Sequence, residues 1–229
     1  MSPSVLLLVL LTLSAIGYYL GAKASSRNLV IDGLSRNMGL DRLKFLLAPL
    51  AVTGSVCLCH IVGMTPEAPT LEAAFGGGQP EEIFIVGQNV IDDGMALYPG
   101  SGRDADMVIF GCPHCTISEI RTLAARLEGK RIEAGKRLWI GLPHQHYALA
   151  QKMGYTRTIE TAGGLFASAC MAGVPDAPLP AGVSTVATNS FKAAHYISRL
   201  TRDRVKVMVT DQAKCLDAII DPTWKGGPA

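Results

Sequence analysis

Apolar residues along the chain fall into short blocks separated by Gly, Pro and Asp, and the spacing within the blocks changes from one to the next. Leu43, Leu46, Leu47, Leu50 and Ala51 recur at helical intervals, with Pro49 placed to kink or end that helix. Residues 65–69 and 76–80 are Pro- and Gly-rich punctuation. Residues 82–87 predict a short buried strand, and 92–94 with 99–102 bound a surface loop. A second strand over 106–111 leads straight into a helix whose apolar face is Ile117, Ile120, Leu123, Ala124 and Leu127. Thr116 and Glu119 stand three apart at its start, the spacing of a capping box.

The same alternation continues. Strand 136–141 precedes a helix through His146 to Met153, and a third unit runs over 164–174. Strand 183–187 precedes helix 191–200, and strand 205–210 precedes helix 212–220. Strands alternating with helices at this spacing predict an α/β fold of mostly parallel sheets flanked by helices. No internal repeat stands out, and residues 222–229 read as a frayed, flexible tail.

The amino terminus admits two readings. Residues 1–22 carry no charge, and 5–20 are apolar enough to span a bilayer as a helix. No Lys or Arg precedes the run, and Lys23 and Arg27 behind it would hold the following domain in the cytoplasm. A helix buried in the fold is the preferred reading, with a cytoplasmic protein. Anchoring to a membrane through residues 5–20 is the alternative.

Composition removes whole classes of function. The 229 residues are 48% hydrophobic and 17% charged, with 21 basic against 19 acidic side chains, so the formal charge is only +2. Mean hydropathy is +0.27, which excludes disorder over most of the length. There is no basic field for nucleic acid, and aromatics at 6% are too few for base stacking. A small-molecule enzyme, a redox protein or a membrane-tethered domain remains.

Six cysteines, unevenly spaced in a chain too large to need staples, do not suggest a disulfide scaffold. Cys112 follows strand 106–111 and precedes a capped helix, where backbone N–H groups and the helix dipole favour an anion. A Cys there is a metal ligand or a redox nucleophile. His114 beside it is a ligand, a proton donor or a loop residue. A second junction lies at 188–196, where Asn189 or Ser190 caps a helix carrying Lys192 in its first turn. A cation at that end gains from an anionic ligand, though a solvated surface Lys fits as well.

A third cluster is Cys57-Leu58-Cys59-His60, with Glu67 beyond a Gly/Pro turn that brings His60 and Glu67 toward one pocket. Alternation makes Cys57 and Cys59 same-face core residues of a short strand. Cys170 closes another small-residue strand and could line the sheet's carboxyl edge. Cys215 falls on the apolar face of the last helix. Gly76-Gly77-Gly78 lacks the Lys-Ser/Thr of a phosphate loop.

Two family resemblances follow. Cys112-Pro113-His114-Cys115 resembles the active site of DsbA-type, thioredoxin-fold disulfide oxidoreductases, which would suit a secreted or membrane-anchored protein. More of the chain resembles the aconitase X family, through motifs at 60–68, 111–120, Cys170 and 188–196 in the family's order, over about residues 16–215. That resemblance makes residues 1–22 part of the fold and 23–221 a catalytic region. It implies aconitase-type α/β/α domains and loss of water from a small hydroxy-carboxylate such as mevalonate 5-phosphate or cis-3-hydroxy-L-proline. It implies an iron–sulfur cluster on three cysteines, of which Cys112 and Cys170 are two. The third is not identified in this chain, although Cys57 or Cys59 could substitute. It places Thr65, Asn189, Ser190 and Lys192 on the substrate's carboxylate or phosphate, and His60, Glu67 and His114 in substrate contact or proton handling. A small swivelling-domain subunit is the implied partner, and a further chain would supply the missing amino-terminal half. The chain is then a fragment, a split subunit or an inactive copy.

Overall fold

The computed structural model describes residues 3–168 and 179–224. The chain divides into two compact units, Met1–Leu97 and Tyr98–Ala229.

The first unit is built on two helices, α1 (Pro3–Ala24) and α2 (Leu40–Gly54), joined through the short strand β1 (Leu29–Ile31). Glycines let the helices meet backbone to backbone. A Cβ added at Gly17 would fall on the Leu46 carbonyl, and one at Gly54 on the Gly21 carbonyl. The Thr53 hydroxyl lies 2.9 Å from the Tyr18 carbonyl and 3.0 Å from that of Pro49. Pro49 does not end α2, which continues to Gly54 and closes on Ser55 in the left-handed region. Leu13, Leu20 and Ala24 of α1 form one core with Leu46, Leu50, Ile31, Val56 and Ile61. The apolar start of the chain is thus used inside this unit, and among the described residues no helix is long and apolar enough to cross a membrane.

Strand β2 (Cys59–Ile61) pairs in parallel with β1, Leu29 opposite Cys59 and Ile31 opposite Ile61. After α3 (Leu71–Ala74), α4 (Gln88–Ala96) replaces the loop expected around 92–94. Its Gly94 lies so close to Ala15 of α1 that an added Cβ would be 3.0 Å from the Ala15 Cβ. Asp92-Asp93-Gly94 reads as a turn only when this close approach is not visible. The buried strand expected over 82–87 does not form. Phe84 and Val86 touch the core, but Ile83 and Ile85 are 75% and 88% exposed and no strand among the described residues pairs with them.

The second unit is a five-stranded sheet in which helices separate all but one pair of successive strands among the described residues. In chain order it runs β3 (Met107–Phe110), α5 (Ile117–Leu127), β4 (Arg137–Gly141), α6 (His144–Lys152), α7 (Tyr155–Thr161) and β5 (Gly164–Ala167). The described chain resumes before β6 (Thr185–Thr188), then α8 (Phe191–Leu200), β7 (Lys206–Val209) and α9 (Gln212–Asp217). All strand pairs are parallel and the spatial order is β5-β4-β3-β6-β7. The expected α/β class is therefore found.

All four β3 residues are buried, as a central strand covered on both faces requires. Val108 and Phe110 join Leu138 and Ile140 of β4 under Ile120, Leu123, Ala124 and Leu127 of α5. Thr116 and Glu119 form the capping box, with the Glu119 carboxylate accepting the Thr116 N–H at 2.8 Å. At the opposite end of the strands, the Asp106 carboxylate accepts from the Ser184 hydroxyl (2.7 Å), the Ser184 N–H (2.8 Å) and the Thr185 N–H (2.9 Å). This fastens the start of β6 to the start of β3.

Candidate active site at the sheet's switch point

The strand order fixes where a ligand belongs. From β3 the chain winds outward through β4 to β5, then returns to the other side of β3 for β6 and β7. The connections leaving the carboxyl ends of β3 and β6 therefore run in opposite directions, the arrangement at which open parallel sheets usually bind ligands. The chain segments at that switch point are 111–115 after β3 and 189–192 after β6.

Gly111 makes the first turn with φ +97°, and its added Cβ would collide with the Gly141 backbone at the end of β4. A side chain is excluded there by backbone conformation and by space. Cys112 comes next, 5% exposed, followed across a cis peptide by Pro113 and the half-buried His114. The Cys115 N–H donates to the Gly141 carbonyl at 2.8 Å, and His146 Nδ1 lies 3.1 Å from the Cys115 carbonyl. The loop is held from both sides.

On the β6 side, Ser190 rather than Asn189 is the cap of α8, its hydroxyl accepting the Ala193 N–H at 3.1 Å. The same hydroxyl donates to the Cys112 carbonyl. One oxygen thereby ties the two loops of the switch point together. Asn189 is buried and Lys192 half-buried in the first turn of α8, a place where a cation gains from an anion and where N–H groups point outward. The Thr188 hydroxyl at the end of β6 is completely buried and has no hydrogen-bond partner among the described residues.

The structure thus gathers Cys112, His114, Asn189, Ser190 and Lys192 at one rim of the second unit. Cys170 lies outside the described residues. His60, Thr65 and Glu67 belong to the first unit. There His60 is half-buried in β2, Glu67 is exposed, and the Thr65 hydroxyl is engaged in its own turn, accepting the Ile61 N–H at 3.1 Å. The expected same-face pair of Cys57 and Cys59 is not found. Cys57 precedes β2 and is exposed, whereas Cys59 is within it. Burial pushes the Cys59 thiol up to about 11. Cys215 is fully buried in the core, as its helical position suggests, and burial with the nearby Asp211 charge raises its pKa.

Three contributors were not singled out from sequence. Thr188 reads as an ordinary strand former, and His146 as one position in a helix. The Gly111–Gly141 contact did leave a trace, since Phe110-Gly111 and Ile140-Gly141 both end aliphatic strands on glycine.

Cys112 suits an iron–sulfur centre in chemical kind, being a soft, buried thiol at the switch point. Among the described residues no group of three His, Cys, Asp or Glu side chains is placed to hold a metal ion, so these residues supply one ligand and not a set.

Comparison with known proteins gives a consistent match. Residues 7–95 match the family description "Aconitase X second domain", and residues 105–221 match "Aconitase X third domain". These stretches lie one in each compact unit. A cis-3-hydroxy-L-proline dehydratase of Pseudomonas aeruginosa is 33% identical over 208 residues, covering 90% of this chain and 36% of that protein. A phosphomevalonate dehydratase large subunit of Methanocaldococcus jannaschii is 32% identical over 193 residues, covering 83% of this chain and 46% of its own length. The crystal structure of Thermococcus kodakaraensis aconitase X in its holo-form superposes with a TM-score of 0.76 at 26% identity, over 92% of this chain and 52% of that one. The chain spans about half or less of the length of the proteins it matches.

Proposed function

The chain belongs to the aconitase X family, and from that premise we propose that it carries the second and third domains of a dehydratase. The substrate is a small hydroxy-carboxylate of the kind named for its relatives, a 5-phosphomevalonate or a cis-3-hydroxy-L-proline. The observation that carries this reading is the Ser190 hydroxyl bound to the Cys112 carbonyl, which fastens the thiol loop to the anion-binding start of α8.

In this reading the α8 N–H groups, Asn189 and Lys192 hold the substrate's carboxylate or phosphate, and Ser190 keeps that cradle in register with Cys112. Cys112 and Cys170 hold an iron–sulfur cluster, with the third ligand outside the described residues, and when bound the cluster supplies a Lewis acid for the departing hydroxyl. His114 sits beside Cys112 in sequence and handles a proton on the same rim. Thr65, His60 and Glu67 contribute substrate contacts and proton handling from the first unit. The proteins it works with are a small swivelling-domain subunit and a source of the family's first domain, in the cytoplasm. The disulfide-oxidoreductase reading of Cys112 and Cys115 finds no support in the comparisons, which match residues 7–95 and 105–221 to aconitase X domains.

Anaerobic purification with iron and sulfide analysis tests the proposal. Cys112→Ser and Cys170→Ser are each expected to lose most of the bound iron relative to the parent chain. Parent-level iron in both variants would remove the cluster assignment and the dehydratase reading with it.

A further inference from the structure

Residues 82–87 are the least expected part of the first unit. Exposure alternates along them with a period of two: Ile83 and Ile85 face solvent, while Phe84 and Val86 rest on the unit's core. That is the signature of an extended segment with one face buried. It has no ladder. Among the described residues nothing hydrogen-bonds to the backbone of Ile83, Phe84, Ile85 or Val86. The segment is nevertheless held in place. The Arg27 guanidinium pairs with Glu82 at 2.9 Å and lies 5.8 Å from the centre of the Phe84 ring. At the other end Gly87 is the N-cap of α4.

A fixed extended segment with unpaired N–H and C=O groups and two isoleucines exposed is a template for a strand. Ordinary proteins blunt such an edge or cover it, and here neither bulge nor proline interrupts 81–87. The family correspondence says what is available to cover it. Residues 7–95 and 105–221 match the family's second and third domains, and the numbering of those domains implies that the family has a first. The P. aeruginosa relative has most of its length beyond the matched stretch, since only 36% of it is covered.

We infer that residues 82–87 are the docking edge for the family's first domain, which adds a strand along them and covers Ile83 and Ile85. Main-chain hydrogen bonds give the register, and the isoleucine side chains supply the apolar contact. The inference rests on family membership and not on the dehydration chemistry.

Amide hydrogen exchange tests it, without cluster or substrate, so failure here leaves the dehydratase reading untouched. The 229-residue chain is compared with a fusion in which the first domain of the P. aeruginosa relative precedes it through a flexible linker. In the chain alone the 83–87 amides exchange freely. In the fusion about two or three of them, the alternate ones facing the new strand, slow by about tenfold or more. An Ile83→Lys/Ile85→Lys variant, altered only on the exposed face, keeps the exchange pattern of the rest of the unit and loses this protection. Unchanged exchange over 83–87 in the fusion overturns the inference. So does concentration-dependent protection in the chain alone, which would assign the edge to a second copy.

Discussion

The two units reach stability by opposite means. In the second, side-chain volume does the holding: Val108, Phe110, Leu138 and Ile140 are each at most 1% exposed beneath α5, and every strand pairs with a neighbour in parallel. In the first, the closest contacts occur where side chains are missing. Gly17, Gly21 and Gly54 let α1 and α2 approach backbone to backbone, Gly94 brings α4 onto Ala15, and the only ladder among the described residues has three paired positions. A large residue removed from one unit and a small residue enlarged in the other should therefore do comparable harm.

Phe110→Ala gives the largest expected effect, a loss of about 3–5 kcal/mol, because the ring is buried on a central strand and its cavity cannot collapse. Denaturant unfolding measures it, and a loss under about 1 kcal/mol would mean that the second unit does not depend on filled volume as described. Gly54→Leu comes next, at about 3 kcal/mol, since the new side chain meets the Gly21 carbonyl rather than a movable side chain. Hydrogen exchange resolved along α1 and α2 should show both helices opening, and protection equal to the parent would break the comparison from the other side.

Asp106→Asn is smaller, about 1.5 kcal/mol, because the three bonds it weakens lie near solvent. It also carries a pH signature. The bonds from the Ser184 hydroxyl and N–H, then that from the Thr185 N–H and the Lys136 charge, hold the Asp106 carboxyl below its usual range of ionisation. A carboxylate favoured in the folded state contributes stability that is complete above its unfolded pKa and disappears as pH falls through the lower folded value. Below about pH 4 the parent and Asp106→Asn should converge in stability. A constant gap down to pH 2 would show that the bonds do not depend on the charge.

The same contrast explains what could be read from sequence. Buried parallel strands announce themselves as short aliphatic runs, so 106–111, 136–141 and 205–210 predicted β3, β4 and β7 to within a residue at either end. The capping box at Thr116 and Glu119 was visible because its two partners lie three residues apart. The order of the strands was not visible, because pairing β6 with β3 joins residues far apart in sequence and leaves no local mark. For the same reason Cys112 and Ser190 could each be placed at a strand-to-helix junction, but their shared hydrogen bond could not. In the first unit the pattern misled. Residues 82–87 have the composition of a buried strand and no partner strand among the described residues, and 92–94 have the composition of a turn but belong to α4 through a glycine contact.

The doubly bonded Ser190 hydroxyl has a consequence for how this rim of the sheet can vary. Its oxygen serves the start of a helix and the loop of a neighbouring strand at once, so a substitution there is a lesion in two places. Side chains on this rim that carry no shared bond can be exchanged one contact at a time, whereas the serine is fixed by geometry at both ends.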